Sequence, residues 1–131
     1  MTIDKVAWVY IVDGRVLCAR SHGKELYYLP GGKRDPGESD AACVSREVAE
    51  ELGVELERDT LVHLATFEGP ADGKPAGTRM RMTCYSSGHR GDIAPRAEIA
   101  ELTWLGADDL ARTSAMGRIV LEWLRARGLI R

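Results

Sequence analysis

The chain is predicted to fold as an α/β sandwich, a mixed β-sheet with helices on its faces. Three observations predict it. Strand-like and helix-like segments are interleaved along the 131 residues, no regular βαβ repeat links them, and the helical segments are amphipathic, so each can cover a sheet from one side. The length suits a single domain, residues 1–131, and allows a full core together with a ligand cleft.

Taken in order, residues 5–12 and 15–20 are rich in β-branched and apolar side chains, and Asp13-Gly14 between them is the dipeptide favoured in two-residue type I′ turns. They read as a β-hairpin. A polar loop, Ser21 to Glu25, leads to the short apolar stretch Leu26-Tyr-Tyr-Leu29. The glycines and prolines of residues 30–37 allow neither helix nor regular strand there. A helix is expected from Ser39 as N-cap, with Ala41, Val44, Val48 and Leu52 as its apolar stripe and Gly53 as the residue that ends it. Leu61–Phe67 and Thr78–Tyr85 read as strands joined by a long, mobile tip over residues 69–77, Ile99–Leu105 as a further strand, and Met116, Ile119, Val120, Trp123 and Leu124 as one face of a C-terminal helix.

Composition excludes several classes of function. A formal net charge of -2 gives no general attraction to DNA, RNA or acidic membranes. Cys18, Cys43 and Cys84 are odd in number and widely spaced, so they form neither a zinc pattern nor a disulfide framework and suit a reducing compartment. The N-terminal residues lack a signal-type apolar core and no run reaches membrane-spanning length, so a cytoplasmic protein is expected. His22, His63 and His89 are isolated and form no ligand set.

The chemistry concentrates on the first helix. At about 100° per residue, Glu47, Glu50 and Glu51 occupy a quarter to a third of its circumference. Their mutual repulsion costs a few tenths of a kcal/mol per pair, and they lie toward the helix end where the macrodipole disfavours anions. A divalent cation would remove both penalties, and clustered carboxylates are the hard ligands magnesium prefers. The spacing around them is specific. Gly32, five residues, Glu38, seven residues and then Arg46-Glu-Val-Ala-Glu-Glu-Leu-Gly-Val54 satisfies the pattern G-x5-E-x7-R-E-U-x-E-E-x-G-U, with U aliphatic, at every position. Seven identities and two aliphatic positions make a chance match rarer than roughly one in a million.

That pattern is the Nudix box, and the chain resembles the Nudix hydrolases, in particular MutT-like members of similar size. Tyr28 to Lys33 looks like the entry to the Nudix loop, and Ala97 to Trp104 like the late strand and its preceding loop. The resemblance implies an α/β/α sandwich and a metal-dependent attack of water on a diphosphate, with Mg2+ as cofactor and Mn2+ as a substitute. By similarity Glu50 and Glu51 bind metal and the Gly31 carbonyl adds a backbone ligand. Glu47 is a further metal ligand or the base that activates water. Arg46 pairs with Glu38, which fixes the loop and keeps Arg46 from neutralising the metal-binding carboxylates. Glu98 is the candidate for an extra metal ligand or base delivered from a separate loop, with Glu101 as its competitor. Arg20, Lys33 and Tyr28 are the candidate substrate contacts, and Trp8, Tyr10, Tyr27 and Phe67 are further aromatics able to stack a base or fill the core. The resemblance thus implies a small nucleotide-like substrate for a monomer or homodimer. Three functions stand: a (deoxy)nucleoside triphosphate pyrophosphohydrolase, an ADP-ribose or nucleotide-sugar pyrophosphatase, or a non-catalytic nucleotide sensor.

Overall fold

The alternation of side chains along strand β1 (Thr2–Trp8) produces the layers. Val6 and Trp8 point to one face, into a cluster with Val44, Val48 and Leu52 of helix α1 (Asp40–Leu52). Ala7 points to the other, into a cluster with Val120, Leu121 and Leu124 of helix α2 (Ala115–Ala126). Strand β3 (Arg15–Ser21) divides in the same way, Leu17 toward α1 and Val16 and Cys18 toward α2. The two helices therefore cover opposite faces, in the α/β/α arrangement expected from sequence. The computed structural model describes residues 1–71 and 73–131.

The larger sheet runs β4 (Gly31–Lys33), β1, β7 (Arg79–Ser86), β6 (Val62–Pro70); β1 and β7 are parallel and the other pairs antiparallel, so the sheet is mixed. A second, antiparallel sheet runs β2 (Ile11–Val12), β3, β9 (Ile99–Leu105), and β5 (Glu55–Leu56) pairs with β8 (His89–Arg90). Two 3-10 turns, Arg58–Thr60 and Ala107–Arg112, complete the elements. No described helix is long and apolar enough to cross a membrane.

Local signals account for the boundaries around α1. Ser39 accepts a hydrogen bond from the Ala42 N–H at 3.1 Å, an N-cap worth about 1 kcal/mol, and Gly53 ends the helix at φ 72°. Asp40, in the first turn, accepts from Tyr85 Oη on β7 at 2.6 Å and pairs with Arg34, tying the helix start to the sheet. The Asp13-Gly14 turn has positive φ at both positions, 52° and 76°, as a type I′ turn requires.

Four expectations are corrected. The first strand is not continuous over residues 5–12: β1 begins at Thr2 and stops at Trp8. Val9 N–H then donates to Tyr85 and the Tyr10 carbonyl accepts from Leu17, passing the chain from one sheet to the other. Residues 31–33, expected to be loop, form edge strand β4, because Gly31 adopts φ 150° and lets the backbone lie against β1. On α1 the buried stripe includes Cys43, while Ala41 is only half-buried. Gly69 and Pro70 belong to β6, paired with Met80 and Arg79, rather than to a mobile tip; that expectation also covered residue 72, which lies outside the described residues.

Candidate active site

The loop before α1 is held by one arginine. Arg46 Nε donates to Glu38 Oε2 at 2.8 Å and Nη2 to Glu38 Oε1 at 2.9 Å, a two-point grip matched to carboxylate geometry. Glu38 also accepts from the Asp35 N–H at 3.0 Å, and these contacts hold its carboxyl down to about 2, with Arg46 the main cause. Nη2 donates further to the Lys33 carbonyl at 3.2 Å, so a single side chain on α1 binds both ends of residues 33–38.

The same guanidinium corrects an expectation. Instead of being kept from the acidic cluster by Glu38, Arg46 also reaches Glu47 Oε1 at 3.0 Å and Glu50 Oε1 at 3.4 Å through Nη1. The fork has five N–H groups, and gripping Glu38 along one edge leaves Nη1 free for its helix neighbours.

Glu51 points inward. It is 4% exposed and accepts from the Gly31 N–H at 2.9 Å. Burial, reinforced by Glu47 and Glu98 and opposed by Gly31 and Lys5, pushes its carboxyl up to about 8. Burial likewise raises Glu47 above its ordinary value, against the lowering pull of Arg46. The two glycines of β4 each leave room for a neighbour, backbone at Gly31 and a movable side chain at Gly32. A Cβ on Gly31 would lie 2.2 Å from the Val6 carbonyl oxygen, and one on Gly32 would lie 2.3 Å from Glu47 Cδ. Gly31 thus packs on the sheet, and Gly32 makes room for the Glu47 carboxylate.

Beyond Glu51 a cleft of about 650 Å³ opens between β1, the loop after β3 and the start of α2. Leu29, Met82 and Met116 form apolar wall, Tyr28 lines it with its hydroxyl bonded to Ser21, and Lys5, Lys24 and Lys74 bring positive charge. Of the aromatics considered as base contacts, only Tyr28 lines this cleft; Trp8 is fully buried against α1 and stacks on Tyr10 at 5.0 Å. Lys33 is exposed on β4 beside Lys5. Arg20 is already engaged, donating to the Lys24 carbonyl at 3.0 Å and lying 3.8 Å from Glu101. Glu101 also accepts from the Tyr27 hydroxyl. Glu98, by contrast, is exposed, its backbone anchored by His22 N–H at 2.9 Å, and its charge acts on Glu47 and Glu51.

Lys5 is the residue that sequence reasoning missed. It stood at the start of an apolar strand segment; only the pairing of β1 with β4 reveals that it faces the cleft beside Lys33.

Do these residues suit a divalent cation? Glu47, Glu50, Glu51 and Glu98, with the Gly31 carbonyl, are an all-oxygen donor set of the kind magnesium takes. A cation there would also counter the burial and mutual repulsion that lift Glu51. Yet among the described residues no three acidic, histidine or cysteine side chains converge closely enough to hold a metal. Arg46 holds Glu47 and Glu50, and Glu51 is turned to Gly31. The donors fit by chemistry, and cation binding would require Arg46 to release two of them.

Comparison with known proteins agrees with this geometry. The NUDIX domain family model matches residues 2–124. The NAD-capped RNA hydrolase NudC of Vibrio vulnificus (strain CMCP6) is 29% identical over 105 residues, 77% of this chain and 38% of NudC, so the chain spans about two fifths of that relative's length. Among solved structures, the E. coli ORF135 protein superposes with a TM-score of 0.73 at 26% identity, covering 96% of this chain and 92% of ORF135. A MutT NUDIX hydrolase from Burkholderia pseudomallei superposes with a TM-score of 0.74 at 25% identity, covering 93% and 97%. With its box complete, its sheet order and helix layers in place and a family match over nearly the whole length, the chain belongs to the Nudix hydrolases.

Proposed function

We propose that the chain hydrolyses a diphosphate linkage in a small nucleoside-diphosphate-linked molecule, a (deoxy)nucleoside triphosphate in the first place, by attack of water on phosphorus. The observation that carries this reading is the buried Glu51 carboxylate on the wall of the cleft, with Glu47 and Glu98 in electrostatic range and lysines alongside. Glu50, Glu51 and the Gly31 carbonyl hold metal, Glu47 serves as a further ligand or as the base, and Glu98 adds a carboxylate from the opposite loop. Bound Mg2+, or Mn2+ in its place, supplies charge neutralisation at the phosphates and a more acidic water. Glu38 and Arg46 position the loop. Lys33 and Tyr28 contact substrate, and Arg20 joins them only by leaving Glu101.

A second reading, a nucleotide-sugar or dinucleotide pyrophosphatase, is favoured by NudC, whose name describes action on NAD-capped RNA. The net charge of -2 supports a small molecule over a nucleic-acid polymer as substrate here. A panel of nucleoside triphosphates, ADP-ribose and NAD with millimolar magnesium, read by product identity, separates the readings. Nucleoside monophosphate plus pyrophosphate is the expected product. Turnover undiminished by excess chelator would overturn the metal mechanism, and no turnover of any substrate would favour the sensor.

A further inference from the structure

On β1, Lys5 has Lys33 of β4 as its direct antiparallel partner on one side and Met82 of β7 on the other. The three side chains share one face of the sheet, and Lys5 and Met82 line the cleft. Like charges directly opposite one another across antiparallel strands destabilise a sheet. The strands offer no relief, since Lys5 is half-buried and its ammonium makes no hydrogen bond or ion pair among the described residues. Glu51, the carboxylate whose charge acts most strongly on Lys5, accepts from the Gly31 N–H and forms no ion pair with Lys5 among the described residues. Lys74 is a third cation acting on the same ammonium, and the charges of Glu51 and Glu47 offset the repulsion only from a distance, without an ion pair. A partly desolvated cation set against other cations, in an open cleft, is stabilised once an anion enters.

The charge balance indicates which anion. Divalent cations on the helix carboxylates would offset Glu47, Glu50 and Glu51, leaving the lysines uncompensated. A terminal phosphate brings nearly two negative charges and three free acceptor oxygens. An uncharged sugar in the same place brings hydroxyl acceptors but no negative charge. Lysine, a compact point charge with rotatable donors, is suited to such a phosphate.

We infer that Lys5, seconded by Lys33, binds the terminal phosphate of the substrate and makes the cleft selective for nucleoside triphosphates over nucleoside-diphosphate-linked sugars. This rests on the reading of the cleft as a diphosphate-hydrolysing site.

The test compares wild type with Lys5→Met, which keeps an unbranched apolar stem, and Lys5→Arg, which keeps the charge. With triphosphates, Lys5→Met should raise KM about tenfold or more with kcat within about threefold, the pattern of a contact made equally in ground and transition states. With ADP-ribose its KM should stay within about twofold of wild type, and Lys5→Arg should recover most of the triphosphate affinity. The Lys5→Met protein should melt no lower than wild type, because the substitution removes a like-charge pair. Calorimetry with a non-hydrolysable triphosphate analogue and magnesium separates this inference from the activity. If wild type binds the analogue without turning over any substrate, the proposed function fails, while tenfold weaker binding by Lys5→Met still supports the phosphate contact. Equal binding by the two proteins, no binding by wild type, or equal losses for triphosphate and ADP-ribose would overturn it.

Discussion

Arg46 and Glu38 meet edge to edge, Nε to Oε2 at 2.8 Å and Nη2 to Oε1 at 2.9 Å, across eight residues of chain. The contact joins the loop that follows β4, the strand of Gly31 and Gly32, to the helix that carries the acidic cluster. Glu38→Gln should keep the fold but lower activity or metal affinity roughly 10- to 100-fold, the usual cost of losing a residue that orients ligands. Because the folded carboxyl is held at about 2, below its ordinary 4.5, the stability it contributes is present above pH 4.5 and disappears as pH falls toward 2. The melting temperatures of wild type and Glu38→Gln should therefore differ at pH 6 and converge near pH 2. A gap independent of pH would show that the pair is not the source.

Glu51 has the opposite sign. Its carboxyl is pushed up to about 8 from an ordinary 4.5, so the folded state holds the proton more tightly than the unfolded one. The metal-free protein should lose stability as pH rises from about 4.5 to 8. Glu51→Gln can still accept from Gly31 and should flatten that slope, melting higher than wild type at pH 8 while losing turnover. Magnesium should raise the wild-type melting temperature most at pH 8 and leave the variant nearly unmoved. Parallel pH profiles for the two metal-free proteins would rule out the burial of this charge as their cause.

Sequence made the layers and the acidic cluster legible because both rest on local periodicity. The stripe through Val44, Val48 and Leu52, the Ser39 cap and the Gly53 stop are short-range signals, and they place Glu47, Glu50 and Glu51 without reference to the rest of the chain. What could not be read depends on partners distant in sequence. Strand β4 exists because Gly31 lies against Val6 and Ala7, some two dozen residues earlier, and glycines next to a proline read locally as loop. The resemblance pairs Arg46 with Glu38, and it does not show how the five donors of one guanidinium are shared with Glu47 and Glu50. Lys5 became a site residue only through strand register.

The two glycines of β4 should fail differently. Gly31→Ala puts a methyl against the Val6 carbonyl at a φ of 150°, so it should cost about 2 kcal/mol or more of stability, visible in denaturant melts. Gly32→Ala meets the movable end of Glu47 rather than backbone. It should fold with a small stability change and lose activity by displacing that carboxylate. Similar stability losses in both variants would mean that Gly32 is structural as well.

Glu98 and Glu101 lie three residues apart, and the structure treats them differently. Glu101 is occupied: Tyr27 donates to it, Arg20 lies 3.8 Å away, and its strand position opposite Arg20 on β3 fixes it there. Glu98 is exposed and its carboxylate makes no hydrogen bond or ion pair among the described residues, and its charge is felt at Glu47 and Glu51. Its loop is held in place by the His22 N–H and by Ala97 at φ 54°, so the carboxylate is presented on a defined backbone. Glu98→Gln should therefore lower kcat by about 100-fold, within the range for a lost acid–base or metal-ligating group, with a smaller effect on KM. Glu101→Gln should leave kcat nearly unchanged and instead loosen Arg20, read as a modest fall in melting temperature. If Arg20 contacts phosphate only after leaving Glu101, that variant should also show a lower KM for substrate, since the competing carboxylate charge is gone. A large kcat loss in Glu101→Gln with a silent Glu98→Gln would assign the second carboxylate to the strand instead of the loop. Silence in both would leave helix α1 as the source of every acidic ligand.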